Sequence, residues 1–509
     1  MSAVSFRKQF QVEFKKSKQL LPVLMTIALL FGNIAYLYFG LSRGDAMSKQ
    51  ELWEQTYCCI PLMNTLLLPV FMAVLGSLSM DLEHKGNTWN LLQTMQSRRS
   101  IFLCKTLYGL YYAVTFVILQ EITIVAIGKA LGFSGALPVS VVIISAFAQI
   151  LAGMVVYQIG CLLSLLFSSQ FAAISINLGG TLAGLLLLLV TTKPVTPWSI
   201  LGSLEVAEMN FDASSETVSF EWVHVSLSSW VVGILYFAVI FFIGLILYTH
   251  MEEGSIPGLG TGTVKSSSLH TSAPAEILKL KRSPIWIPFF CLPIISAAVG
   301  TFNFSANQGT LSFTWESLWT QHSLFLGIFF LPPLIAILCS LLLRQEHSGT
   351  NWNLILTLES PWKIVGDKTL VSSGMSVVCM LWIAVLYIIC GKALGIPGLP
   401  TASFPLFILC GILSCIAISA VQVFLSTVIR PFAVPIGIAL GLSVIGIACV
   451  VKGWIYALPT AMLQAGIGST TLDRGLNLGG FIAAASIYVI LFYCFSVLYL
   501  KRSDVKTHE

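Results

Sequence analysis

The sequence predicts an all-α polytopic membrane protein with twelve transmembrane helices, arranged as two parallel repeats of six. Of the 509 residues, 56% are hydrophobic and only 10% are charged, whereas a soluble globular chain carries about a quarter charged residues. Apolar runs of about 20 residues, the length that crosses a hydrocarbon core, recur along the chain. The alternating pattern of a membrane β-barrel is missing. A polar segment between two apolar runs also occurs twice.

This polar segment, which we call the EH segment, shows that the chain is a tandem duplication. It reads EHKGNTWNLLQTMQSRRSIFLCK from Glu83 to Lys105 and EHSGTNWNLILTLESPWKIVGDK from Glu346 to Lys368. The copies align without a gap, since 346 − 83 and 368 − 105 both equal 263. Shared hydrophobicity cannot explain a match between polar segments. GKALG at 128–132 returns at 391–395, and VEFKKSKQ at 12–19 is echoed by AEILKLKRS at 275–283.

The first half, residues 1–249, begins with a basic amphipathic stretch that carries no cleavage site of a signal peptide. Six spans follow, at about 20–40, 58–80, 101–128, 139–167, 171–190 and 229–248. A polar loop at 191–226 separates the last two spans. It carries five acidic residues against a single lysine: Glu205, Glu208, Asp212, Glu216 and Glu221.

Residues 250–283 are rich in Gly, Ser, Thr and Pro, which is typical of a flexible linker. The second half, 284–509, then repeats the pattern. Its six spans are predicted near 284–300, 323–343, 370–390, 404–428, 432–451 and 478–500. The sequence therefore predicts two six-helix transmembrane halves joined by a linker.

The distribution of basic residues predicts the orientation. With the N-terminus in the cytoplasm, most of the 27 lysines and arginines fall on that side, as the positive-inside rule requires. Both termini, the linker and both EH segments are then cytoplasmic in a multi-pass protein of the plasma membrane, and the acidic loop lies outside. Because topology explains the basic residues, they do not indicate a nucleic-acid partner.

The EH segment combines Glu-His with a tryptophan and leucines at helical spacing, which predicts a short helix lying on the membrane surface. An aromatic side chain there needs a partner. It could anchor at the lipid headgroups or enter a groove of another protein, and the residues do not decide between these. The Glu-His pair lacks the third ligand that a zinc site requires. Helix capping or partner contact is the better interpretation.

Glu-His followed at short spacing by Trp-Asn-Leu, and closed by Arg and Lys, resembles the permease subunits of the ABC-2 exporter superfamily, most closely the lantibiotic-immunity and antimicrobial-peptide branch. The resemblance implies that the EH segment is a coupling helix that docks on a separate ATPase, present in two copies, which holds the ATP and magnesium. It also implies an exported amphiphilic or antimicrobial-type peptide or drug. The implied coupling residues are Glu83, His84, Gly86, Trp89 and Asn90, with Glu346, His347, Gly349, Trp352 and Asn353.

Two features depart from the family pattern. Permeases of this family are usually single six-span chains that pair, whereas here both halves are fused. The first EH segment also has Ser97-Arg98 where the second has Pro361-Trp362, so the two halves could engage the ATPase unequally.

The chain is not expected to be an enzyme. The linker contains GLGTGTVKSS at 258–267, but a phosphate-binding loop needs Gly before its Lys, and Val264 stands there. A twelve-span secondary transporter driven by an ion gradient is the alternative function. That class places a basic run after the second span, whereas Asp81 is followed by LEHKGNTWN.

Glu121 lies inside the third span, where a carboxylate is costly and is by default a functional candidate. It could line the substrate pathway for a cationic cargo, or it could be a hydrogen-bonded structural residue. Its repeat counterpart is Ala384, because 121 + 263 = 384. For the intramembrane amides we expect hydrogen bonds between helices: Asn33, Asn64, Gln158, Asn177 and Gln422.

Overall fold

The computed structural model of the protein describes residues 6–16, 20–41, 52–86, 97–133, 135–167, 170–188, 191, 193–212, 217–250, 273–281, 283, 285–308, 311–344, 346–347, 351–468 and 477–502. The chain divides into two compact units, Met1–Gly260 and Thr261–Glu509. This boundary lies inside the predicted linker. Residues 251–272 are outside the described part, but Ala273–Lys281 form a helix, so the linker prediction extends too far at its C-terminal end.

The first unit begins with an amphipathic helix and continues with the six predicted spans. Its helices are α1 Phe6–Lys16, α2 Leu20–Leu41, α3 Leu52–Gly86, α4 Arg98–Ala130, α5 Val139–Leu166, α6 Gln170–Leu188 and α7 Leu227–His250. The core of the unit is the packing of α3 on α5. Gly76 and Gly160 permit it, since a Cβ at Gly76 would lie 2.4 Å from the backbone oxygen of Tyr157. Small residues allow close helix contact in membranes.

The polar loop predicted at 191–226 has more structure than expected. It holds two 3₁₀ turns and an antiparallel hairpin, β1 Ala207–Asp212 and β2 Thr217–Trp222, in which Ala207 is opposite Trp222. The hairpin follows from alternation, the pattern of a half-buried strand. Ala207 and Phe220 are buried, whereas Glu208 and Glu221, opposite each other, point outward and are exposed.

The second unit repeats the arrangement of an amphipathic helix followed by six spans. Its helices are α8 Ala273–Lys281, α9 Trp286–Ala306, α10 Trp315–Phe325, α11 Leu331–Arg344, α12 Asn351–Leu358, α13 Pro361–Ala393, α14 Phe404–Val428, α15 Ala433–Val451, α16 Pro459–Gly466 and α17 Leu478–Arg502. The predicted bounds of α14 are confirmed. The sequence did not predict α16, a short helix in which every residue is buried.

One extra residue distinguishes the second span of unit two. The Trp-Glu pairs at Trp53 and Trp315 differ by 262, whereas Pro69 and Pro332 differ by 263. Between them, Leu326–Phe330 form a π-helix that joins α10 to α11. A π-bulge accommodates a single inserted residue within a helix. The insertion therefore lengthens one turn without interrupting the span.

The described helices account for the twelve predicted crossings. Nine are long and apolar enough to cross a membrane, and three shorter apolar stretches, Met25–Ile34, Ala173–Leu185 and Leu331–Arg344, lie where the other three spans are predicted. Each unit holds six of the twelve.

The repeated GKALG motif ends the third span of each unit, and its first glycine has a packing role. A Cβ at Gly391 would lie 2.2 Å from the Trp315 ring, and one at Gly128 would lie 2.3 Å from the Trp53 ring. The Trp315 indole also donates to the carbonyl oxygen of Pro397 at 3.0 Å. Both units therefore close the contact between their second and third spans with a tryptophan on a glycine.

We expect Gly391→Ala to destabilise the protein, because the new methyl group overlaps the Trp315 ring and overpacking costs about 1–3 kcal/mol. Gly374→Ala is the matched control, since this glycine of the same helix has no atom within 4 Å of an added Cβ and alanine favours a helix. Thermal unfolding in detergent should show a lower Tm for Gly391→Ala only. Equal stability of the two variants would contradict this packing.

Candidate functional site

A buried lysine organises the second EH segment. Lys368 of α13 is 1% exposed. Its Nζ donates to the Oε1 atoms of Glu346 at 2.9 Å and of Glu276 at 3.3 Å. It also donates to the carbonyl oxygen of Leu342, in the last turn of α11, at 2.9 Å. One ammonium group thus connects the amphipathic helix α8, the end of the second span and the start of the third.

The first unit has the same arrangement at equivalent positions. Lys105 of α4, also 1% exposed, donates through Nζ to Glu13 Oε2 of α1 at 3.3 Å and to the carbonyl oxygen of Ser79 in α3. The residue numbers of the lysine, the glutamate and the residue that supplies the carbonyl each differ from those of their counterparts by 263. We call this three-element contact the lysine joint. Glu83, the counterpart of Glu346, lies in the last turn of α3, and its side chain lies outside the described part.

Two physical effects favour a lysine here. The last turn of a helix leaves carbonyl groups unsatisfied and carries a partial negative charge, which a cation stabilises. A buried ammonium must also be paired with a carboxylate, because an unpaired buried charge is costly. The sequence analysis places both EH segments, and with them Lys105 and Lys368, on the cytoplasmic side. The structure adds that both lysines are buried structural cations.

His347 and Trp352 hold the short helix of the second EH segment against its own unit. His347 Nε2 donates to the carbonyl oxygen of Ser426 in α14 at 2.7 Å, so Nδ1 is free to accept, and it accepts from Trp352 Nε1 at 3.1 Å. The rings also meet edge to face at 5.6 Å. Burial lowers the pKa of His347, as does nearby Arg430. The histidine is therefore neutral at pH 7.

The structure corrects the expected exposure of Trp352. Trp352 is 4% exposed and is buried within its own unit, so in this structure its side chain is not available to the lipid headgroups or to another protein. The predicted short helix is confirmed as α12. Among the side chains of α12 that the structure describes, Thr357 and Leu358 are exposed, the latter by 52%.

The other predicted coupling residues are described less fully. Trp89, Asn90 and Gly349 lie outside the described residues, and for Glu83, His84, Gly86 and Asn353 only the helical backbone is described. Glu346 was expected to cap a helix or contact a partner. Instead it is buried in the lysine joint.

Glu121 is 8% exposed and accepts a hydrogen bond from the Tyr57 hydroxyl at 2.7 Å. Of the intramembrane amides, Asn33 donates to Asn64 at 3.0 Å, and Gln158 Nε2 donates to Thr106 Oγ1 at 2.9 Å. These contacts confirm the predicted hydrogen bonds between helices.

The remaining two amides differ. Asn177 Oδ1 accepts from the indole of Trp198, in a 3₁₀ turn, at 3.1 Å. Gln422 is buried, and its Oε1 has no hydrogen-bond partner among the described residues.

With this geometry established, comparison with known families decides the assignment. Residues 9–184 and 274–446 match the model of the ABC-2 family transporter protein, which covers more than half of the chain. This chain belongs to the ABC-2 transporter family. The two matched regions fall in the two halves, as expected for an ABC-2 permease with repeated halves, and they do not support the ion-gradient alternative. No curated protein matches the sequence.

Sequence reasoning missed the lysine joint, although a signal was present. Glu13 and Glu276 were recognised as equivalent, and Lys105 and Lys368 as the ends of the two EH segments. In each half, a lysine begins an apolar span and a glutamate lies on the amphipathic helix that precedes the spans. Both residues recur at the spacing of 263, and this pattern indicates an ion pair. Only the fold shows that Leu342 O completes it.

We expect Lys368→Met to destabilise the protein by about 3–5 kcal/mol, because it leaves Glu276 and Glu346 buried without a cation. Lys392→Met is the control on the same helix. Lys392 is exposed, and its Nζ donates to the carbonyl oxygen of Gly398 at 3.3 Å in an exposed contact, so its loss should cost at most about 0.5 kcal/mol. Chemical unfolding in bicelles measures both variants. A Lys368→Met variant as stable as Lys392→Met would contradict a buried joint.

His347 also predicts a pH dependence. Its folded pKa lies below the unfolded value of about 6.5, so the unfolded chain binds the proton first as the pH falls. The stabilisation is complete above about pH 6.5 and is lost as the pH falls from there through the folded pKa. We expect the Tm of the wild type to fall between pH 7.5 and 5.5 more steeply than that of His347→Gln.

Trp352→Phe separates the hydrogen bond from the ring contact. Phenylalanine cannot donate a hydrogen bond, so a proton on His347 Nδ1 no longer meets an opposing N–H group. The pH dependence of the Tm should therefore weaken. A wild type and a His347→Gln variant with parallel pH profiles would show that His347 does not titrate as described.

Proposed function

We propose that this protein is the transmembrane subunit of an ATP-driven exporter and that a separate ATPase, in two copies, powers it through the two EH segments. Membership of the ABC-2 family, matched in both halves, carries the proposal. This family is a membrane component of ABC transporters and works with an ABC ATPase. ATP and magnesium are bound by that partner. The proposed cargo is an amphiphilic or antimicrobial-type peptide or drug, moved out of the cell or its plasma membrane.

The second EH segment supports a coupling role for α12. Trp352 and His347 fix one side of this helix to the end of α14, and Leu358 remains exposed on the other. A short helix with one side fixed and an apolar residue exposed fits a docking element. We therefore assign contact with the ATPase to the exposed surface of α12. Trp352 is a positioning residue.

The lysine joint supports transmission of force. Glu346, which belongs to the EH segment, pairs with Lys368 of the third span, and Lys368 also pairs with Glu276 of the amphipathic helix. Buried charges that satisfy one another are costly to separate. A displacement of α12 by the ATPase would therefore move the ends of the second and third spans together with α8.

We expect Leu358→Glu to weaken binding of the ATPase about tenfold or more, because it places a carboxylate in the centre of an apolar contact. Met209→Glu is the control, since this hairpin residue is 58% exposed and lies far along the chain from either EH segment. Co-purification and stimulation of ATP hydrolysis in liposomes measure the effect. Normal binding and normal stimulation by Leu358→Glu would overturn the assignment of α12.

A further inference from the structure

A cluster of buried polar side chains connects four spans inside the first unit. No member is more than 8% exposed. We call it the Glu121 cluster, and its members are Asn33 of α2, Tyr57 and Asn64 of α3, Gln120 and Glu121 of α4, and Gln149 of α5. Polar groups at this depth are costly unless they are bonded or bind a ligand.

The cluster has used almost all of its hydrogen-bond donors. Three of its four amides donate two bonds each and the fourth, Gln120, donates one, at 2.6–3.5 Å. The Tyr57 hydroxyl donates to Glu121 Oε2 at 2.7 Å. The hydrogen-bonding capacity that remains is in acceptor atoms. Asn33 Oδ1 has no partner among the described residues, and a carboxylate can accept about four bonds. A ligand that completes the cluster must therefore donate hydrogen bonds.

The cluster also lacks positive charge. None of the ion pairs among the described residues includes Glu121, and its hydrogen-bonding neighbours Tyr57 and Gln149 are neutral. A buried carboxylate favours a cation or a proton.

The hairpin covers one end of the cluster. Val206, Ala207 and Phe220 share a hydrophobic core with Tyr57, whose ring lies 6.0 Å from that of Trp222. Beside Asn33 a cavity of about 10 Å³ remains, room for about one water molecule. This cavity is too small for a larger group, so the elements around the cluster would have to move apart to admit one.

We propose that the Glu121 cluster binds the protonated amine of an amphiphilic cargo, with Glu121 as its counter-ion and Asn33 Oδ1 as a further acceptor. The assignment rests on the proposed function and names its substrate class. The site is present once per chain, because Gln120 and Glu121 correspond to Ile383 and Ala384 at the spacing of 263. The third span of the second unit thus carries apolar residues at both positions.

The test compares two probes with the same alkyl chain, one charged and one neutral. Octylamine is protonated at pH 7, and N-octylacetamide is its uncharged analogue. Binding is measured on the full chain alone in lipid nanodiscs, and transport on the chain with its ATPase in liposomes. Glu121→Gln preserves shape and removes the charge. Glu316→Gln makes the same change at an exposed glutamate of α10 and is the matched control.

We expect Glu121→Gln to lower binding of octylamine roughly tenfold or more and to leave N-octylacetamide and the Tm unchanged, with Glu316→Gln like the wild type. If Glu121→Gln weakens binding of both probes equally, the proposal is overturned and Glu121 has a structural or proton-binding role. Unchanged binding of octylamine to Glu121→Gln would also overturn the proposal. Because the binding assay does not include the ATPase, selective binding without transport would overturn the proposed function and leave this inference standing.

Discussion

The lysine ammonium groups at the start of the third spans constrain both units. Each is buried, and each is held by a glutamate from an amphipathic helix and by a carbonyl from the end of the second span. Removing any one partner leaves a buried charge or a buried carbonyl unsatisfied. The position of the amphipathic helix, the end of the second span and the start of the third are therefore fixed together, although these elements are distant in sequence.

In the second unit this constraint extends into the EH segment. Glu346 reaches the same lysine, and the next residue, His347, fixes α12 through Trp352. The segment that we propose to contact an ATPase is thereby continuous with the joint between the spans. This continuity explains why the segment combines charged, aromatic and apolar residues. Glu346, Trp352 and Lys368 are directed inward, whereas Leu358 remains exposed.

The two units share the joint but differ in their interiors. Both place a tryptophan on the glycine that ends the third span, so the contacts at both ends of that span are duplicated. Between them, the first unit carries the Glu121 cluster, whereas Ile383 and Ala384 occupy the equivalent positions in the second. Duplication has thus kept the parts that hold the spans together and allowed the polar interior to differ. A fused pair of halves can distribute cargo recognition unequally in this way.

The spans, the repeat and the short EH helix were predictable, because twenty-residue apolar runs and an ungapped polar match are strong local signals. The π-helix and the buried α16 were not, and the hairpin, although its strands alternate, was predicted only as a polar loop. A one-residue insertion becomes a π-bulge only when packing keeps both flanking turns in place. Glu121 was recognised as costly from the sequence, but its partners come from two other spans, and hydropathy does not specify which helices are neighbours. For the same reason Trp352 was expected to be exposed.

The most direct test of the lysine joint is a double-mutant cycle on Lys105 and Glu13, with Lys105→Met, Glu13→Leu and the double variant. Unfolding in bicelles gives the three changes in free energy. Because an apolar pair can replace a buried ion pair at little cost, whereas a single buried charge cannot be left unpaired, we predict that the double variant is more stable than either single variant. Additive losses, with the double variant the least stable, would contradict a coupled joint.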